Sequence, residues 1–178
     1  MGKLSVRHIQ DLLASGLSAP TRYEQGKALE DLICYVFGRV SGIEVSKRNK
    51  LNTFGTEEVD IAFWNAKLQN GLHFLPNIIL VECKNWSNPL GSREVAYFAQ
   101  LLQNRGRDYG ILIAANGISG SATDVNQAHY EVAMSLSRGL NILVLTRSDL
   151  ETLHSTEQLA YLLKEKLCEL AVSGTVFA

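Results

Sequence analysis

The chain has 178 residues, 46% apolar and 20% charged, which is enough length for a full core and excludes global disorder. Its net charge of −1 excludes a protein that coats polyanions, but not an enzyme that meets nucleic acid through one basic face. Cys34, Cys83 and Cys168 have no C-x-x-C spacing and cannot all pair, so reduced thiols and a cytoplasmic location are expected. The opening M-G-K-L-S-V-R-H lacks a long apolar stretch, and no run approaches ~18 apolar residues, so neither a signal peptide nor a membrane span is expected.

In chain order, Leu4, Val6, Ile9, Leu12 and Leu13 predict a short amphipathic helix, punctuated by Gly16 and Pro20. Thr21 and Glu24 then have the spacing of a capping box, in which two side chains satisfy the free N–H groups of a helix start. The helix it opens is expected to reach about Val40 and stop at Gly42, with Leu29, Leu32, Ile33, Val36, Phe37 and Val40 as its core stripe. Glu30 flanks that stripe at about 100° per residue, and spacing alone leaves it either solvated or turned partly inward.

Ile43 to Val45 read as a short strand leading into the basic patch Lys47, Arg48 and Lys50. Val59, Ile61 and Phe63 alternate with Glu58, Asp60 and Ala62, which is strand periodicity. Aspartate is depleted in strands, so Asp60 needs a reason, and an exposed face shared with Glu58 is the plain one. Residues 65–76 form a connection with a turn at Gly71. Asn77 to Trp86, N-I-I-L-V-E-C-K-N-W, is a buried strand whose end carries Glu82, Cys83 and Lys84. A period of two puts Ile78, Leu80, Glu82 and Lys84 on one face and Ile79, Val81 and Cys83 on the other. A hairpin is the simplest pairing of these two strands and would bring Asp60 near Glu82.

A helix from Gly91 or Ser92 to Arg105–Arg107 follows, then a strand at Tyr109 to Ala115 and a glycine-bounded turn, Gly117 to Gly120. Another helix is expected from about Ala122 to Arg138, and a strand from Leu140 to Leu145. Ser148 with Glu151, and Ser155 with Gln158, have capping-box spacing, and the last helix is expected to end near Val172. This alternation predicts an α/β fold, a mixed β-sheet with helices on both faces. It is expected to be a single domain over 1–178, with a core at about 21–146 and a C-terminal helix at about 155–172.

Two carboxylates with a lysine two residues past the second are a set with chemical meaning. Mg²⁺ is held by one or two carboxylates plus waters and phosphate oxygens. An ammonium on the same strand face can stabilise charge developing on a phosphoryl group. The plain alternative for Glu82 and Lys84 is a same-face ion pair. The four histidines are scattered without metal-ligand spacing, so zinc is not expected.

Asp60, then Glu82-Cys83-Lys84 on the next strand, with Glu30 on a preceding helix, resembles the PD-(D/E)XK nuclease superfamily, and most closely its Mrr-like, restriction-endonuclease-like branch. The resemblance covers Gly26 to about Ala122 and implies a restriction-endonuclease-like mixed sheet and Mg²⁺-dependent hydrolysis of DNA, with Mn²⁺ as substitute. It also implies that Asp60 and Glu82 are metal ligands, joined by the Cys83 carbonyl, that Lys84 orients or activates the attacking water, and that Glu30 assists the metal. Val59 stands where the motif often has proline. Asn85 and Trp86 follow the motif directly and are candidates to line the cleft, with packing the other reading of Trp86. Lys47, Arg48, Lys50, Arg93, Arg105, Arg107 and Gln100 are candidate substrate contacts, against the plain reading of solvated surface groups. Besides DNA, the partners implied are a second copy of the chain or further subunits that supply sequence specificity. The rival reading is a catalytically silent nucleic-acid-binding or assembly module of the same fold in a defence or repair complex.

Overall fold

The structure, a computed structural model, describes residues 2–53, 55–123 and 125–175. Five strands form one sheet in the order β1 (Ile43–Leu51), β2 (Glu58–Asn65), β3 (Ile78–Lys84), β4 (Tyr109–Ala114), β5 (Asn141–Leu145). The first three are antiparallel and joined by direct turns. The last three are parallel, which requires crossovers, and α3 (Ser92–Asn104) and α4 (Gln127–Ser137) supply them. The expected mixed sheet is therefore present.

Thr21 caps α2 (Arg22–Gly38) as expected, its hydroxyl accepting from the Glu24 N–H at 3.2 Å, but the Glu24 carboxylate accepts from that hydroxyl at 2.8 Å and not from the Thr21 backbone N–H that a full capping box would use. Phe37 of α2 stacks on Phe63 at 5.2 Å, so α2 covers the sheet face of Val59, Ile61 and Phe63. The other face belongs to α3. A Cβ on Gly110 would lie 2.7 Å from Phe98 and 2.8 Å from Leu102, so the glycine lets α3 approach closely. Gly110 is in register with Leu80, and Leu80 with Ala62, so α3 lies on the face of Asp60 and Glu82. Helices on both faces were the sequence expectation.

Four elements differ from their sequence pattern. Helix α1 (Val6–Ser18) passes through Gly16 rather than stopping there. Strand β1 continues through the basic patch to Leu51, with an irregularity between Val45 and Lys47. Helix α4 starts at Gln127, not Ala122, because residues before it fold back: the Ser121 N–H donates to the Asn126 side chain at 2.9 Å, and Gly120 turns at φ 100°. Helix α5 (Arg147–Glu151) is capped by Thr146 and Asp149, two residues before the expected Ser148 and Glu151. Ser155 does cap α6 (Thr156–Ser173), accepting from the Gln158 N–H at 3.3 Å. Among the described residues, no helix is long and apolar enough to cross a membrane.

Candidate active site

The β2–β3 ladder runs from Trp64↔Ile78 to Ile61↔Val81 and ends there. One step further, Asp60 would stand opposite Glu82. Instead the strands part, and Asp60 Oδ2 accepts the Cys83 N–H at 2.7 Å. A side chain thus replaces a ladder partner at the strand end. The Lys84 carbonyl points the other way, accepting from the Ala115 N–H at 3.0 Å. Carbonyls alternate along a strand, so the Cys83 carbonyl points, with its N–H, to the Asp60 side.

Glu82 and Lys84 project from the same face, as the period of two requires. Lys84 Nζ lies 2.6 Å from Glu82 Oε1. Glu82 is only 4% exposed, and its Oε2 is buried with no hydrogen-bond partner. Burial, and secondly the nearby Asp60 charge, push the Glu82 carboxyl up to about 7, against the pull of Lys84. Burial also raises Asp60, opposed by the Cys83 N–H and by Lys84, while the charges of Glu30 and Glu58 add to the rise. For Lys84, burial disfavours the charge, but the Glu82 carboxylate outweighs it and the net shift is upward. Lys84 is therefore an ammonium at neutral pH.

This geometry fits a hard divalent cation in one respect. A buried carboxylate oxygen with no donor beside it, next to a second carboxylate, is the environment a cation would relieve. Asp60, Glu82 and the Cys83 carbonyl are the groups that would hold it. Among the described residues, no cluster of three or more His, Cys, Asp or Glu side chains could hold a metal, so the remaining ligands would be water and substrate. That division is the habit of Mg²⁺.

Residues 22–145 match a family model for the Mrr catalytic domain, described as a restriction endonuclease, over more than two thirds of the chain. The chain belongs to this restriction-endonuclease family. The match runs from the start of α2 to the end of β5 and includes Glu30, Asp60, Glu82 and Lys84. The family points to nuclease activity of the restriction-endonuclease type, with DNA as the substrate. No curated protein matches the chain.

Other residues singled out in this restriction-endonuclease domain are placed unevenly. Glu30 is turned inward and 9% exposed on α2, the helix whose Phe37 stacks on Phe63. Its Oε2 is held by Arg48 Nη2 at 3.0 Å and by Asn49 Nδ2 at 3.1 Å. Its charge still reaches Asp60. Arg48 is a structural cation rather than a free one: Nη1 also lies 2.7 Å from Asp31. Lys47 and Lys50 are exposed and border a concavity of about 280 Å³ with Arg105 and Arg107, floored by apolar residues of β2 and β3. Arg105 also donates to the Glu57 carbonyl at 3.2 Å. Arg93 is exposed at the start of α3. Gln100 is exposed and donates to Asn104 at 2.8 Å, so its amide is engaged along its own helix.

Two features were not found from sequence. Tyr97 of α3 is raised by burial and by the charges of Glu82 and Glu57, which places its phenol in the field of the carboxylates. Its helical position beside Phe98 was the available signal. The second is a junction: Asn85, already a cleft candidate from its place after the motif, ties the end of β3 to α2 by donating to the Gln25 carbonyl at 2.9 Å, and nothing in local spacing pointed to that tie.

Proposed function

We propose that this domain hydrolyses DNA phosphodiesters as a divalent-metal-dependent endonuclease, with Asp60, Glu82 and the Cys83 carbonyl as the metal ligands and Lys84 as the assisting cation. The observation that carries this is the buried, unpartnered Oε2 of Glu82 beside the Asp60 carboxylate. A bound divalent cation supplies positive charge to the phosphoryl oxygens and lowers the pKa of water.

The chain's own groups divide the remaining work. Asp60, pinned by the Cys83 N–H, presents its other oxygen in a fixed orientation. Glu82 would hold the cation through Oε2, the oxygen that its contact with Lys84 leaves free. Lys84, an ammonium with three donors and no acceptor, then donates to the oxygen of the attacking water or to a phosphoryl oxygen. Glu30, ion-paired with Arg48, acts on Asp60 through its charge and not as a direct ligand.

The test is plasmid cleavage with Mg²⁺ or Mn²⁺ by the parent, Glu82→Gln and Lys84→Ala proteins, each checked for folding by circular dichroism. Loss of about 10²-fold or more of the rate in each variant is expected. Cleavage that survives both changes overturns the reading. Binding of DNA without cleavage by the parent protein identifies the silent module instead.

A further inference from the structure

Beyond Lys84 the chain borders a cleft of about 490 Å³, with Arg22 and Gln25 of α2 on one side and Lys84, Asn85 and Trp86 on the other. A second cavity of about 290 Å³ shares Gln25, Asn85 and Trp86 and extends to Gly16 and Arg147. Asn85 is the hinge pin between them. It donates to the Gln25 carbonyl at 2.9 Å, and Gly16 leaves room for it, since a Cβ there would lie 2.8 Å from its Nδ2.

Arg147 is the unusual member. Its Nη2 reaches Asn85 Oδ1 only at 3.4 Å, and its Nε is buried with no partner. No ion pair among the described residues includes it. A guanidinium with an unsatisfied buried donor lacks an acceptor there, and its planar fork suits a phosphate. On the same wall, Trp86 is 44% exposed, and its backbone is anchored by the Asn116 side-chain amide, which donates to its carbonyl. An exposed, anchored indole beside a cation is a stacking platform for a base. The volume is that of a small-ligand pocket, which admits one unpaired nucleotide and not the width of a duplex.

We propose that these two adjoining cavities hold an unpaired nucleotide of the DNA strand next to the phosphodiester at the carboxylate site, with Arg147 of the second cavity on its phosphate and Trp86, which lines both, stacked on its base. The proposal rests on the nuclease reading for what lies beside Lys84, and it makes flapped, looped or single-stranded DNA the preferred substrate class. Arg147 and Gly16 lie outside the residues matched to the restriction-endonuclease family, so this subsite is built partly by the chain's flanking segments.

The experiment needs no cleavage. The chain has two tryptophans, so Trp64→Phe leaves Trp86 as the sole indole reporter. In that background, without metal, an oligothymidylate is expected to quench the fluorescence saturably, and a blunt duplex to quench it little. Arg147→Gln is expected to raise the Kd about tenfold and to lower the salt slope by about one phosphate contact. Trp86→Ala, at an exposed position, is expected to weaken binding of a labelled oligothymidylate about tenfold by anisotropy and carries the test if Arg147→Gln does not fold. Equal quenching by blunt duplex, no quenching, or unchanged affinity in the folded variants overturns the proposal. Saturable quenching with no cleavage in Mg²⁺ leaves the subsite standing and sinks the nuclease reading alone.

Discussion

Asp60 and Cys83 are joined where β2 and β3 part: a carboxylate oxygen takes a backbone N–H at 2.7 Å in place of the next ladder bond. The same contact aims a side chain and closes a strand end. Asp60→Asn keeps an acceptor for that N–H while removing charge beside Glu82, so its metal-free stability is expected within about 1 kcal/mol of the parent. Asp60→Leu leaves the N–H unsatisfied and is expected to cost about 1–3 kcal/mol. Urea unfolding without metal separates the two. Equal losses in both variants contradict the structural half of Asp60's role.

Glu82 predicts a pH dependence. Its folded pKa, about 7, lies above the usual carboxylate value of 4.5, so the folded state favours the protonated form. The stability this contributes is fully present below about pH 4.5 and is lost as pH rises through about 7. Metal-free protein is therefore expected to lose this contribution between those values. Mg²⁺, which competes with the proton, is expected to raise the Tm more at pH 8 than at pH 6. Thermal melts at both values, with and without Mg²⁺, read the difference directly, and a larger metal effect at pH 6 contradicts it.

Arg48 and Lys47 are neighbours on β1 but differ in employment. Arg48 bridges Glu30 and Asp31 with its side chain 32% exposed, so Arg48→Ala is expected to cost about 1–2 kcal/mol of stability. Lys47 is exposed beside a basic concavity, so Lys47→Ala is expected to leave stability unchanged and reduce the salt slope of DNA binding by about one. Denaturant curves and salt titrations of both variants check the contrast.

The reasons some of this was readable and some was not are physical. The β3 pattern fixed which side chains share a face, because a strand has only two, and Glu82 and Lys84 meet at 2.6 Å accordingly. Thr21 and Glu24 marked the start of α2 because capping is local chemistry. The length of β1 was hidden, because an edge strand carries charges such as Lys47 and Lys50 in place of apolar alternation. The ion pairs of Arg48 and the junction of Gln25 with Asn85, 60 residues apart, depend on tertiary placement that no local spacing encodes.

The central claim is that Asp60 and Glu82 together hold a divalent cation, and Mn²⁺ titration followed by electron paramagnetic resonance tests it most directly. The parent protein is expected to bind Mn²⁺ saturably at pH 8, with displacement by Mg²⁺ and loss of at least about tenfold in affinity in both Asp60→Asn and Glu82→Gln. Unchanged Mn²⁺ affinity in the two folded variants, or no saturable binding by the parent, would contradict the account.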